Sequence, residues 1–213
     1  MGIGRFDTTA ETCEPENEEQ QEWIRLAKLG DHAAFTLLVR AYQDAIYRFC
    51  LRFLGVPEMA QDATQDTFYK LYKTLDRFDE SRRVRPWIYQ IAANLCKDML
   101  KRKEHNRLVT WNDEAGPTDS AGSGSTQPVR PDVVVSLRQD ADRMNRAIAK
   151  LPESYREALL LKAVEGLSYE EAAVIAGATV TTMKIRVVRA RLRLHELLDK
   201  HPLKISVLDR QKP

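Results

Sequence analysis

"SYEEAAVIAGATVTTMKIRVVRARLRL", residues 168–194, decides how this chain folds. Two helical patterns meet there at one glycine, Gly177. Ser168 and Glu171 fit the S-x-x-E capping box, which predicts a helix opening at Tyr169. Gly177 stands where a sharply turning chain needs positive φ. Thr179 suits the cap of a longer helix reaching about Leu198. A short helix, a glycine turn and a long basic helix make a helix-turn-helix, whose second helix enters the DNA major groove.

Placing residues 100° apart tests the long helix. Val180, Met183, Val187, Ala190, Leu194 and Leu197 recur at steps of three and four and form one buried stripe. Lys184 and Arg191 flank it on one side, Arg186 and Arg193 on the other, and Arg189 points nearly away. The last eleven positions of the quoted stretch carry five cations and no acid. A solvated face would mix signs and form Glu–Lys pairs. Cations on both shoulders instead suit a helix lying between two phosphate strands. Thr181, Thr182 and Ile185 then face base edges. Ile185, Val188 and Leu192 lie outward, where they meet thymine methyls or form a patch covered by another protein or by the first domain. The patch is the favoured reading for Val188 and Leu192.

Outward from this stretch the periodicity is helical nearly everywhere and nothing reads as strand. Trp23, Leu26 and Ala27 mark a first helix stopped at Gly30. Asp31 caps a second, with Phe35, Leu38, Tyr42, Ile46, Phe49 and Phe53 as its core stripe and Gly55 at its end. Pro57 opens a third, carrying Phe68, Leu71, Tyr72 and Leu75 on one face. Pro86 starts a fourth, with Ile88, Ile91, Ala92 and Leu95 inward, running to about Arg102. Residues 112–132 are rich in Gly, Ser, Thr, Pro and Asp and read as a flexible linker. Helical periodicity then resumes in one helix ending near Lys150 and another from Pro152 to Glu165. The expected fold is all-α: two small helical domains joined by a flexible linker, the C-terminal one a helix-turn-helix. The expected divisions are an acidic tail (1–20), a first domain (21–104), a linker (105–136), the helix-turn-helix domain (137–201) and a tail (202–213).

Charge segregates along the chain although the total is only +2. Residues 1–22 hold one Arg against seven acids, net −6, while 23–105 hold 15 cations against 10 acids, net +5. Residues 106–136 are net −2, and 137–213 again hold 15 against 10, net +5. Two basic blocks with an acidic spacer speak to partners rather than to fold. No apolar run approaches the roughly 20 residues that span a bilayer, and residues 1–21 lack a signal-peptide pattern, so a cytoplasmic protein is expected. Cys13, Cys50 and Cys96 are too scattered for a disulfide framework or a zinc site, and the latter two read as small buried hydrophobes. His32, His105, His195 and His201 form no metal or triad spacing, and there is no phosphate-binding loop. No enzyme, metal or cofactor is expected.

"LPESYREALLLKAVEGLSYEEAAVIAGATVTTMKIRVVRARLRL" resembles the promoter-recognition domain of bacterial RNA polymerase sigma factors, in their extracytoplasmic-function (ECF) branch. The usual pattern is met by Leu151-Pro152, Arg156, Gly166-Leu167-Ser168, Glu171, Ala173, Gly177, Thr182, Lys184, Arg186 and Arg189-Ala190-Arg191. "GDHAAFTLLVRAY", "AQDATQDTFYKLY" and "PWIYQIAANLCKDMLKRK" are similar to successive parts of the family's first domain. Two blocks in the right order, about 25–104 and 137–198, cover some two thirds of the chain. The sequence departs at Ile185, where a Ser is usual, and at Ala172, Ala173 and Ala176, where bulkier residues are usual.

The resemblance implies a factor that binds core RNA polymerase, reads the −35 element through the helix-turn-helix and melts the −10 element with the first domain. It implies −35 contacts from Thr181, Thr182, Lys184, Ile185, Arg186, Arg189 and Arg193. Asp62, Gln65, Asp66 and Tyr69 share one face of the third helix, and the resemblance makes that face the polymerase-binding surface, against a basic coiled coil. Phe78, Arg82, Arg83, Arg85 and Trp87 combine cations with aromatics, as single-stranded DNA requires. The family uses that loop for melting, although Trp87 is also expected to anchor the core. Asn94 and Lys97 lie one turn apart and are placed on the adjoining duplex, with Lys101, Arg102 and Lys103 on backbone phosphate. An anti-sigma protein is an expected further partner. A stand-alone helix-turn-helix regulator is the alternative, and it leaves the third-helix face and the aromatic–basic loop unexplained.

Overall fold

The computed structural model describes the backbone of residues 18–110 and 132–199, and the side chains of 18–106 and 141–198. The acidic residues 1–17 and the centre of the expected linker lie outside the described residues. Among the described residues there are eight helices and no strand. In chain order they are α1 (Glu18–Lys28), α2 (His32–Leu54), α3 (Pro57–Thr74), α4 (Val84–Thr110), α5 (Asp132–Ala149), α6 (Glu153–Leu159), α7 (Tyr169–Ala176) and α8 (Val180–Asp199). A 3₁₀ turn follows α3 at Leu75–Arg77, and α6 continues into a π turn at Leu160–Val164.

The helix ends follow their local chemistry. The Asp31 carboxylate accepts from the backbone N–H groups of Ala33 and Ala34, and Gly55 closes α2 in the left-handed region at φ 74°. Pro57 occupies the first turn of α3. At α7 both arms of the capping box form: Ser168 Oγ accepts from Glu171 N at 3.0 Å, and Glu171 Oε2 accepts from Ser168 N at 2.7 Å. Gly177 turns the chain at φ 59°, and the Thr179 hydroxyl accepts from Thr182 N at the start of α8.

The α2 stripe is buried apart from Phe35, which is half-buried. Three expectations differ in detail. Ile24 is the deeply buried large residue of α1, and Trp23 and Leu26 are only partly buried against the core. Tyr72 is exposed rather than buried, its ring set against Phe35 at the rim of the core. The fourth helix opens at Val84, ahead of Pro86, and continues past Arg102 to Thr110. A buried Val84 side chain gives that extra first turn an anchor.

The helices α1–α4 and α5–α8 form two groups, and the groups pack on each other. α2 lies against α5, and α4 against α7. A continuous core runs from Phe49 and Phe53 to Ile148, Leu151 and Leu159–Leu161. Arg156 stitches the seam: its guanidinium donates to the carbonyls of Phe53, at the end of α2, and of Ala149 and Leu151, at the end of α5. Helix C-termini leave carbonyls unsatisfied and carry partial negative charge, so one cation there serves two helices. Burial pushes the Arg156 guanidinium down from its ordinary value, the cost of this placement.

Candidate nucleic-acid interface

The basic surface of α8 stands free of the other helices. Met183, Val187 and Ala190 are fully buried and Val180, Leu194 and Leu197 partly so, which fixes the helix rotation. Thr181, Lys184, Ile185, Arg189 and Arg193 are consequently exposed, and Thr182 and Arg186 are half-exposed on its shoulders. The Tyr169 ring of α7 sits between two cations, with Lys162 Nζ at 4.9 Å and Lys184 Nζ at 5.7 Å from its centroid. Such contacts orient a long side chain without removing its charge. Arg193 pairs with Glu196 at 2.7 Å on the open surface, an interaction of little strength in water. Ile185, Val188 and Leu192 are 47%, 56% and 63% exposed, so the first half of the chain does not cover them.

The α3 face is likewise open. Asp62, Gln65, Asp66 and Tyr69 are all exposed, opposite buried Ala63, Thr67, Phe68 and Leu71. Lys73 lies over the Tyr69 ring at 5.6 Å.

The loop before α4 is more constrained than its composition suggests. Lys28 of α1 donates to Phe78 O and pairs with Glu80 at 2.7 Å. Asp79 accepts from the backbone and hydroxyl of Ser81, and these bonds hold its carboxyl below the ordinary range. Phe78 is buried and stacks on Trp87 at 4.4 Å between centroids. Its ring is therefore a core element, not a free platform for a base. Trp87 is half-buried and keeps its anchoring role. Arg82 and Asn94 are exposed, as are Lys101 and Arg102.

Three cations assigned to DNA in this half meet carboxylates of the other half. Arg83 Nη1 lies 3.0 Å from Glu171 Oε1. Arg85 donates to the backbone carbonyl of Glu165 and stands 4.0 Å from its carboxylate. Lys97 Nζ lies 2.9 Å from Glu157 Oε1. Glu165 also accepts from the buried Tyr89 hydroxyl and faces Arg52 at 4.0 Å. Burial pushes the Glu165 carboxyl above the ordinary carboxylate range, against the Tyr89 bond and the cations Arg52, Arg85 and Arg48. Burial also pushes Glu157 up, against Lys97. The Tyr89 phenol is raised by burial first and by Glu165 second. The sequence shows Glu171 only as a helix cap. Nothing local marks Glu165, which follows the π turn, where Glu165 N bonds back to Leu160 O.

Comparison with known proteins is decisive. Residues 38–106 match Sigma-70 region 2, and residues 141–194 match Sigma-70, region 4. The ECF RNA polymerase sigma factor SigW of Bacillus subtilis is 35% identical over 179 residues, covering 82% of this chain and 94% of that protein. The chain belongs to the ECF sigma factors.

Among solved structures, CnrH in complex with the cytosolic domain of CnrY superposes with a TM-score of 0.64 at 25% identity. It covers 86% of this chain and 99% of that one. The sigma factor RpoE of Bartonella quintana, in complex with the anti-sigma factor NepR, gives 0.61 at 28% identity, covering 78% and 98%. As an ECF sigma factor the protein acts with core RNA polymerase and promoter DNA in transcription initiation. Such factors are DNA-binding initiation factors rather than catalysts. Among the described residues no helix is long and apolar enough to cross a membrane.

Proposed function

We propose that this sigma factor reads the −35 element with α8 and melts the −10 element with the start of α4, while α3 docks on polymerase in the cytoplasm. The observation that carries this reading is the open, acid-free stretch of α8, where Lys184, Arg186 and Arg189 flank Thr181, Thr182 and Ile185. Cations on the shoulders grip phosphate, and the short side chains between them reach bases. In the first half Arg82, Arg83, Arg85, Trp87, Asn94, Lys97, Lys101 and Arg102 supply the downstream contacts. Phe78 supports Trp87 from below. Asp62, Gln65, Asp66 and Tyr69 form the polymerase face.

An anti-sigma protein is the second protein partner in this reading. The relatives CnrH and RpoE were solved bound to the cytosolic domain of CnrY and to NepR. The exposed apolar pair Val188 and Leu192 offers such a partner contact area that DNA does not need.

Gel filtration with core polymerase, followed by transcription from a pool of random promoters, tests the assignment. D62K/D66K is expected to weaken co-elution about tenfold while leaving helicity unchanged. Retention of wild-type co-elution removes the α3 face from the polymerase contact. Absence of any co-elution by the wild type favours a stand-alone regulator.

A further inference from the structure

We infer that Ile185 reads a thymine 5-methyl group in the −35 element: it sets one branched apolar side chain at the centre of the DNA-facing side of α8, where a methyl group packs and a hydrogen-bonding base edge goes unanswered. The inference rests on the proposed function, in which α8 enters the major groove of that element.

Burial fixes where this side chain points. Met183, Val187 and Ala190 are fully buried and hold α8 in one rotation. At 100° per residue Ile185 then falls nearly opposite the centre of the buried stripe. Thr181 precedes it by one turn on the same face and is exposed as well. Thr182, the other short side chain nearby, is engaged in the helix cap, its hydroxyl 2.8 Å from that of Thr179. Lys184 lies over the Tyr169 ring of α7 at 5.7 Å, and Arg186 is half-exposed on the opposite shoulder. The cations thus stand to the sides, as phosphate requires, and Ile185 stands between them. With Lys184, Val188, Arg189 and Leu192 it lines a shallow open groove whose surface is almost wholly apolar. Of the apolar residues in that groove Ile185 is nearest the start of α8, and recognition helices contact base edges with their N-terminal residues. Leu192 stands about 10 Å farther along the axis, at 1.5 Å per residue, so the base-reading position and the partner patch are separable.

Groove chemistry then selects the base. In the major groove guanine offers two acceptors, cytosine a donor, adenine an acceptor and a donor, and thymine an acceptor beside its 5-methyl group. Isoleucine answers no donor and no acceptor. Set against guanine, adenine or cytosine, it takes water from a polar edge and returns no hydrogen bond, which costs affinity. Set against thymine, it buries the 5-methyl group, which loses nothing by leaving water. The Ser usual at this place carries a hydroxyl that both donates and accepts, and it suits several bases. The change to Ile185 therefore narrows what the helix tolerates without removing a charge that grips the backbone.

The test uses the full chain bound to core polymerase. A −35 element is selected from a pool of random promoters, and each thymine on either strand is replaced singly by deoxyuridine. That exchange removes the 5-methyl group and leaves every hydrogen-bonding atom in place. Binding is measured by competition against the labelled, unmodified promoter. At one thymine, or at two neighbouring ones, wild type is expected to lose about fourfold in affinity, the scale of one buried methyl group. I185S should bind the unmodified promoter about fourfold more weakly and no longer distinguish thymine from deoxyuridine there. I185V keeps a branched apolar side chain and should retain the distinction. The helicity of I185S should match wild type, since an exposed side chain is being changed. Equal wild-type affinity for every deoxyuridine promoter, a selected element without thymine, or discrimination that persists in I185S overturns the inference and leaves the proposed function standing. If scrambling the −35 element leaves wild-type binding unchanged, the proposed function itself fails, and the reading of Ile185 fails with it.

Discussion

The two basic blocks carry the same net charge, +5 over 23–105 and +5 over 137–213, yet the structure treats them oppositely. On α8 the cations project from a helix whose apolar stripe alone is buried. At the start of α4 the cations are met by carboxylates from another part of the chain. Charge read along a sequence therefore measures capacity, and tertiary partners decide how much of it is free. Local sequence predicts a free face well when the neighbouring residues carry no acid, as at Lys184 and Arg189. It predicts poorly where the acids lie 60 to 88 positions away, as for Lys97–Glu157 and Arg83–Glu171.

Three measurements bear on this contrast. The largest effect is expected on the free face. R186E/R189E reverses two charges that the proposed function assigns to phosphate and should reduce promoter-directed initiation by roughly two to three orders of magnitude, with the salt dependence of binding flattened. Core-polymerase co-elution should be unchanged. Initiation at the wild-type level would break the contrast at its stronger end.

Next in size is the seam. R156A leaves the carbonyls of Phe53, Ala149 and Leu151 without their donor. Urea unfolding should show a loss of about 3 kcal/mol, the scale for deleting one partner of a buried charged network. A loss below about 0.5 kcal/mol, the scale of a surface change, would mean the halves do not depend on this clamp.

The smallest effect concerns pH. Glu157 and Glu165 are held above their ordinary value of 4.5 when folded. A raised carboxyl binds its proton more tightly in the folded state, so its contribution is most favourable at low pH. That contribution declines as pH rises from 4.5 through the raised values. Glu157 faces Lys97, Glu153 and Arg186, and Glu165 faces Tyr89, Arg52, Arg85 and Arg48. The stability difference between wild type and E157Q/E165Q should accordingly shift against wild type between acid and neutral pH. A difference that is flat with pH would show both carboxyls titrating as if solvated.

Much of the fold was legible because its signals are local. Asp31, Gly55, Pro57, Ser168, Glu171, Gly177 and Thr179 each act within a turn or two of their own position. The stripes of α2 and α8 repeat within single helices. The candidate faces on α3 and α8 were legible for the same reason: burial of one side of a helix fixes what the other side shows. Phe78 was not, since its place under Trp87 depends on Lys28 tethering the loop from α1. Nor was the extension of α4 to Thr110, for residues 103–110 carry too few apolar side chains to announce a helix.

By itself the sequence determined an all-helical chain, a helix-turn-helix with an acid-free basic helix, and the two family blocks, because caps, glycine turns and helical periodicity act over a few residues. Only the tertiary structure decided that Arg156 joins two helix ends and that Glu157, Glu165 and Glu171 face Lys97, Arg85 and Arg83. Those contacts come from packing the first four helices on the last four, and nothing within one helix encodes which distant surface it will meet.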